Sequence, residues 1–257
     1  MVAVLSALGP AMLILVKNDE GNLRKMREAA RKAAAAASGP LNTSSVRALI
    51  EDELQRGVHT VGEVVPPTST SPAVRFRHAP HQIGNGIQPG STGGATLCDP
   101  SAAMSLLWLR RSLNFTILIM ENLQAARQRM EDEATILPML DEFDPEEPSS
   151  ASYSDSASAA AGASMMADPV VDCVCEAYDQ VMRPFHAWIL RKTFDLVSTQ
   201  IPTLPQMVAC LGPGLGENDV EGKVFRELTL FLEEARPVAQ ALDELYAELK
   251  LEDLRQV

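Results

Sequence analysis

The chain has 257 residues, 46% apolar and 22% charged, the proportions of an ordinary globular protein. They exclude a wholly disordered chain, a coiled coil and a collagen. The net charge of −12, from 22 Lys and Arg against 34 Asp and Glu, argues against nucleic acid as a partner, because phosphate backbones are repelled. Eight acids between Glu131 and Glu147 supply −8 of that −12, so the rest of the chain is only mildly acidic.

In chain order, residues 1–16 form an uncharged run interrupted by Gly9-Pro10. No basic segment precedes it, and it is shorter than the ~18–20 residues of a membrane span. It reads as part of a buried helix rather than a signal peptide or anchor. Residues 11–37, rich in Ala, Leu, Met, Lys and Arg, predict a first helix closed by Ser38-Gly39-Pro40. A second is expected at about 43–56, capped by Thr43, Ser44 or Ser45, with Val46, Leu49, Ile50 and Leu54 as its apolar stripe. Residues 60–97 are rich in Pro, Gly, Ser and Thr without a period and read as a long loop. Only 73–77 in that stretch hint at a strand.

A third helix is expected from about 100 to 131, opened by Asp99-Pro100-Ser101. Its middle is apolar nearly all round, which suits burial. Residues 132–168, acidic and then rich in Ser and Ala, read as a disordered insert. A fourth helix is expected from Asp168-Pro169 to about 200, with Pro184 as a point of kinking. A short helix at about 203–211 and a long one at about 218–250 complete an all-α chain. The whole of 1–257 reads as one domain carrying two low-complexity inserts.

Cys98, Cys173, Cys175 and Cys210 include no C-x-x-C pair. Their pattern fits reduced thiols in the cytoplasm and predicts no metal and no cofactor. No nucleophile elbow, phosphate loop or paired carboxylates with a nearby base are visible, so no enzyme activity is expected.

Three segments stand out. In Lys17-Asn18-Asp19-Glu20-Gly21-Asn22-Leu23-Arg24-Lys25, the residues Asn18, Asn22 and Lys25 are spaced i, i+4, i+7 along one helical stripe. Such amide and ammonium groups suit a hydroxyl-rich ligand. The second segment, Leu106-Leu107-Trp108-Leu109-Arg110-Arg111-Ser112-Leu113, places an aromatic platform in an aliphatic helix. The third, Ala177-Tyr178 followed by Pro184-Phe185-His186-Ala187-Trp188, holds one of the four histidines and the other of the two tryptophans. For Asn18, Trp108 and His186 taken singly, a solvated face or ordinary core packing would serve as well.

Together, in order and spacing, these segments resemble the glycolipid transfer protein family, over roughly 1–57, 98–125 and 168–257. The resemblance implies a two-layer sandwich of helices enclosing a hydrophobic lipid pocket. It implies a non-enzymatic carrier that binds a sphingolipid ligand and touches the membrane surface transiently, acting as a monomer. By similarity Asn22 and Lys25 bond sugar hydroxyls, Trp108 stacks a sugar ring and His186 bonds the ceramide amide. Phe115, Met182 and Phe194 line the chain pocket, and Trp188 meets the membrane.

The family aspartate falls on Asn18 in ungapped register, with Asp19 one place later; either is a candidate head-group residue. The family also has a helix before the first motif, for which only about seventeen residues are present here. In the branch that carries ceramide 1-phosphate, arginines stand where this chain has Met104 and Trp108. With Arg110 and Arg111 expected on other faces of the helix, only Lys25 serves a phosphate, and a neutral sugar head group is favoured. The alternatives are a ceramide 1-phosphate carrier and a lipid-sensing adaptor that does not transfer.

Overall fold

A computed structural model describes residues 8–9, 12–36, 45–59, 97–141, 168–213 and 218–256. These form an all-α, two-layer sandwich with no strand among the described residues. The helices are α1 (Leu13–Ala36), α2 (Val46–Arg56), α3 (Ala102–Asp141), α4 (Pro169–Ala177), α5 (Trp188–Val197), α6 (Leu204–Leu211) and α7 (Val220–Leu249). Helix α3 packs against α1, α2, α4 and α7. The run at 1–7, the region 60–96 with its strand candidate, and 142–167 lie outside the described residues.

The helix starts follow capping chemistry. Ser45 accepts the Ala48 N–H and opens α2, and Asp168 accepts the Val170 N–H ahead of Pro169. At α3 the cap is Ser101, which accepts the Met104 N–H at 3.0 Å. Asp99 instead pairs with Lys25. Glu53 of α2 then accepts from the Ala102 and Ala103 N–H groups at 2.8 and 3.0 Å. A buried carboxylate thus sits on the positive end of α3.

Two expectations are corrected. Helix α3 does not stop near 131 but continues to Asp141, so the first part of the acidic insert is helical. Arg127–Glu131 and Gln128–Asp132 side-chain bonds one turn apart carry it forward. The expected fourth helix is not one rod with a kink. It breaks into α4, a wide π turn (Tyr178–Met182), a 3-10 turn (Arg183–Phe185), an extended pair His186-Ala187, and α5. Pro184 has no N–H and would clash with the carbonyl of Gln180 in a regular helix, so the chain widens before it. Leu97, the last residue of the expected loop, has no regular secondary structure and is buried.

The interior has two apolar clusters along α3. The larger gathers Met12 just before α1, Val16 of α1, Phe115 to Ala126 of α3, α4, and Val224 to Ala239 of α7. The smaller gathers Leu49, Ile50, Ala102 to Leu107, Leu245, Tyr246 and Leu251. Between them α3 carries the buried polar residues Arg110, Arg111 and Ser112. That polar seam holds the candidate site.

Candidate functional site

Helix α1 and the turn before it present one stripe to the core: Met12, Val16, Asp19 and Asn22 are buried at steps of three and four residues, and Ala33 three turns on. Two polar residues therefore stand in an apolar stripe. Asp19 is 2% exposed, and one carboxylate oxygen accepts the Ser112 hydroxyl at 2.7 Å. Its other oxygen, Oδ1, has no partner, and neither has the amide nitrogen Nδ2 of buried Asn22. Unpaired buried polar atoms are costly in an apolar surrounding. Burial pushes the Asp19 carboxyl up from 3.8 to about 6, and the Ser112 hydrogen bond only partly offsets this.

Asn18 and Asp19 differ sharply in burial: Asp19 faces the core and Asn18 faces outward. Asn18 is exposed while Asn22 is buried, so the expected stripe of Asn18, Asn22 and Lys25 does not face the core as one. One residue rotates a helix by about 100°, and the apolar phase of Met12 and Val16 turns Asp19 inward. Lys25 is half-buried at the edge, its ammonium 2.7 Å from Asp99.

On α3, Trp108 is half-buried and faces His186, with ring centroids 5.9 Å apart and planes inclined by 27°. His186 lies in the extended break after Pro184. Its Nδ1 is 3.0 Å from the Tyr178 hydroxyl, and the Tyr178 ring is stacked on Phe194 at 3.5 Å. When the phenol donates to Nδ1, the ring proton sits on Nε2 and faces away from Tyr178. The Arg191 guanidinium donates to the His186 carbonyl at 2.7 Å. Burial, then the charges of Arg111 and Arg191, hold His186 down at about 4, so it is neutral at pH 7.

Sequence reasoning missed three contributors. Tyr178 orients His186, but the wide turn between them hides the pairing from any helical spacing. Ser112 holds Asp19. Arg111, expected on another face, has its guanidinium 5.0 Å from the Trp108 ring centre and 3.4 Å from that of Phe185. The spacing from Trp108 to Arg111 is i, i+3, so the two share a face. Arg110 does point elsewhere, over the Tyr246 ring.

Phe115 and Met182 are buried in the larger apolar cluster, with Phe194 packed against it. Trp188, at the start of α5, is 72% exposed, and Ile189 and Leu196 of the same helix are exposed as well. Among the described residues no group of three or more His, Cys, Asp or Glu is placed to hold a metal. Cys98, Cys173, Cys175 and Cys210 form no disulfide among the described residues. No described helix is long and apolar enough to cross a membrane.

The fold has solved counterparts. The structure of FAPP2, described as selecting simple glycosphingolipids with the glycolipid transfer protein fold, superposes at a TM-score of 0.58. That match has 19% identity and covers 100% of this chain and 84% of that one. Mouse ceramide-1-phosphate transfer protein in its apo form gives 0.54, with 15% identity over 98% of this chain and 83% of that one. The human ceramide-1-phosphate transfer protein bound to 12:0 ceramide-1-phosphate gives 0.53 at 17% identity, covering 98% of this chain and 83% of that one. At these identities the likeness shows the fold. In sequence, an "ACD11 homolog protein" of Arabidopsis thaliana is 29% identical over 77 residues, 30% of this chain and 31% of that protein. The family model for glycolipid transfer proteins matches residues 1–213, and the chain accordingly belongs to the glycolipid transfer protein family.

Proposed function

We propose that the protein is a non-enzymatic carrier of sphingolipids with a neutral sugar head group. The observation that carries this reading is the Asp19–Asn22 pair. A buried carboxylate oxygen and a buried amide N–H, both unpartnered, lie at the polar seam beside an apolar core. A ceramide supplies what they lack: an amide, hydroxyl groups and two chains to bury, each CH₂ contributing about 0.8 kcal/mol. Trp108 offers a face for a sugar ring, and Nε2 of His186 donates to the ceramide carbonyl. Lys25 bonds sugar hydroxyls at the rim. The chains enter the cluster that contains Phe115 and Met182, with Phe194 at its margin.

The neutral head group is supported by the pairing of the nearby cations. Lys25 faces Asp99 and Arg111 faces Glu252, so neither stands free for a phosphate. A phosphorylated head group is the second reading, favoured by the position of Arg111 under Trp108 and by the neighbours that carry ceramide 1-phosphate. The test is transfer of fluorescent galactosylceramide and ceramide 1-phosphate between vesicles. Wild type is expected to move the sugar lipid, and Trp108→Ala and His186→Leu each to slow it about tenfold, from loss of a stacking face or a hydrogen bond. A folded wild-type protein that moves neither lipid overturns the proposal and shifts weight to a lipid-sensing adaptor.

The exposed apolar side chains of α5 support a membrane contact there, in a monomer working from the cytoplasm. Tryptophan is at home at a bilayer interface. Trp188→Ala is expected to reduce vesicle adsorption several-fold while leaving binding of micellar sugar lipid unchanged. Adsorption equal to wild type in a sedimentation assay would remove α5 from the docking surface.

A further inference from the structure

The C-terminal segment after α7 is a strap across the site. Lys250 turns the chain in a left-handed conformation, and Leu251 is buried. Asp253, 3% exposed, accepts the Leu97 N–H at 2.8 Å, and Arg255 returns a bond to the Leu97 carbonyl. Gln256 reaches the Pro184 carbonyl at 3.3 Å, two residues from His186. The backbone on both sides of Glu252 is therefore pinned.

Glu252 itself bridges two arginines of α3. One oxygen accepts from Arg111 Nη2 at 2.9 Å, and the other accepts from Arg110. Arg110 also faces Asp243 at 3.5 Å. Arg111 is 3% exposed and lies against the ring of Trp108. Its Nε has no partner, so the guanidinium keeps an unused donor near the Trp108 ring.

We propose that Glu252 is a specificity-determining residue that excludes phosphorylated head groups. This rests on the sphingolipid-binding reading above and deepens it. A buried guanidinium under an aromatic platform is a ready receptor for phosphate, which takes bidentate donors. Here the strap supplies a carboxylate in its place. A phosphate entering the recess meets an arginine whose charge is already neutralised and a second anion next to it. Sugar hydroxyls carry no charge and are little affected. Discrimination thus comes from a repulsive group added to one class of ligand rather than from a contact added to the other.

The test compares binding of ceramide 1-phosphate and galactosylceramide, each in neutral phosphatidylcholine vesicles, by wild type, Glu252→Gln and Glu252→Ala. Both variants keep the strap backbone, and Asp253 still engages Arg111 through its carbonyl. Wild type is expected to prefer the sugar lipid. Each variant is expected to raise the ratio of phosphate-lipid to sugar-lipid affinity by about tenfold or more, through one freed charge-assisted contact. Sugar-lipid affinity should stay within about threefold of wild type, since no new contact to it is made or lost. Adding Arg111→Gln to Glu252→Gln should cancel the gain. A wild-type protein that binds both lipids equally, or a folded variant with the wild-type ratio, overturns the inference while leaving the carrier reading intact. A wild type that binds neither lipid overturns the carrier reading and this inference with it.

Discussion

Replacing Asp19 by alanine is expected to weaken sugar-lipid binding about ten- to a hundredfold, the effect of removing one hydrogen bond to a charged group. The same position is expected to be costly to the empty protein. Asp19 is buried, its Oδ1 is unpaired and its carboxyl titrates near 6 instead of 3.8. A folded-state value raised by about two units means that ionised Asp19 opposes folding by about 3 kcal/mol. That penalty is absent below pH ~4, where the group is protonated in both states, and complete above pH ~6. Asp19→Asn should therefore match wild type in stability at pH 4. It should exceed wild type by about 3 kcal/mol at pH 7, which is roughly 6–12 °C in melting temperature for a chain of this size. Melting curves across pH 4–8 check the stability change, and titration with galactosylceramide vesicles checks the loss of binding. A variant no more stable than wild type at pH 7 would mean that water already satisfies Oδ1.

His186 acts in the opposite sense. Its folded value of about 4 lies below the ordinary 6.5, so neutral His186 favours the folded state above pH ~6.5 and that contribution is lost as pH falls toward 4. Over the same interval acidification relieves Asp19 and penalises His186. The two largely offset each other in the wild type, and each single substitution uncovers the slope of the other. At pH 7 the polar seam thus carries an ionised Asp19 and a neutral His186, each perturbed in the direction that a polar, uncharged ligand would relieve.

Several of these features were legible in the sequence, and the failures have specific physical causes. Helix starts were readable because Ser45 and Asp168-Pro169 cap by local chemistry. The ambiguity at Asn18 and Asp19 was resolvable from the phase of Met12 and Val16, since a stripe fixes rotation better than a motif counted from one residue. Arg111 was misplaced although its i, i+3 relation to Trp108 puts both on one face. The continuation of α3 into acidic residues is masked by composition, although the one-turn pairs Arg127–Glu131 and Gln128–Asp132 signal it. The bond from Tyr178 to His186 and the bridge from Glu252 to the arginines were not legible at all. The first spans a π turn with no regular period, and the second joins residues 141 and 142 positions apart.

Glu53 shows how a charge on an apolar stripe can be read. It lies four residues after Leu49 and three after Ile50, both buried, so its carboxylate must point inward and find donors there. It finds the first N–H groups of α3, which no residue of α3 itself could satisfy. Glu53→Ala removes two charge-assisted bonds at once and leaves Ala102 and Ala103 N–H buried without partners. The expected loss is about 3–5 kcal/mol, at the upper end for single substitutions. Urea denaturation should show a lower midpoint with an unchanged slope, and Glu53→Gln should fall between, because its amide oxygen still accepts one bond. A shift below about 1 kcal/mol would mean that water replaces the carboxylate. Binding separates this anchor from the recess. Trp108 and Arg111 lie farther along α3 and are held by Asp19–Ser112, by Glu252 and by packing on Phe185, none of which involves Glu53. At a temperature where Glu53→Ala is fully folded, its affinity for galactosylceramide should therefore stay within about threefold of wild type, as expected for sites that share no partners.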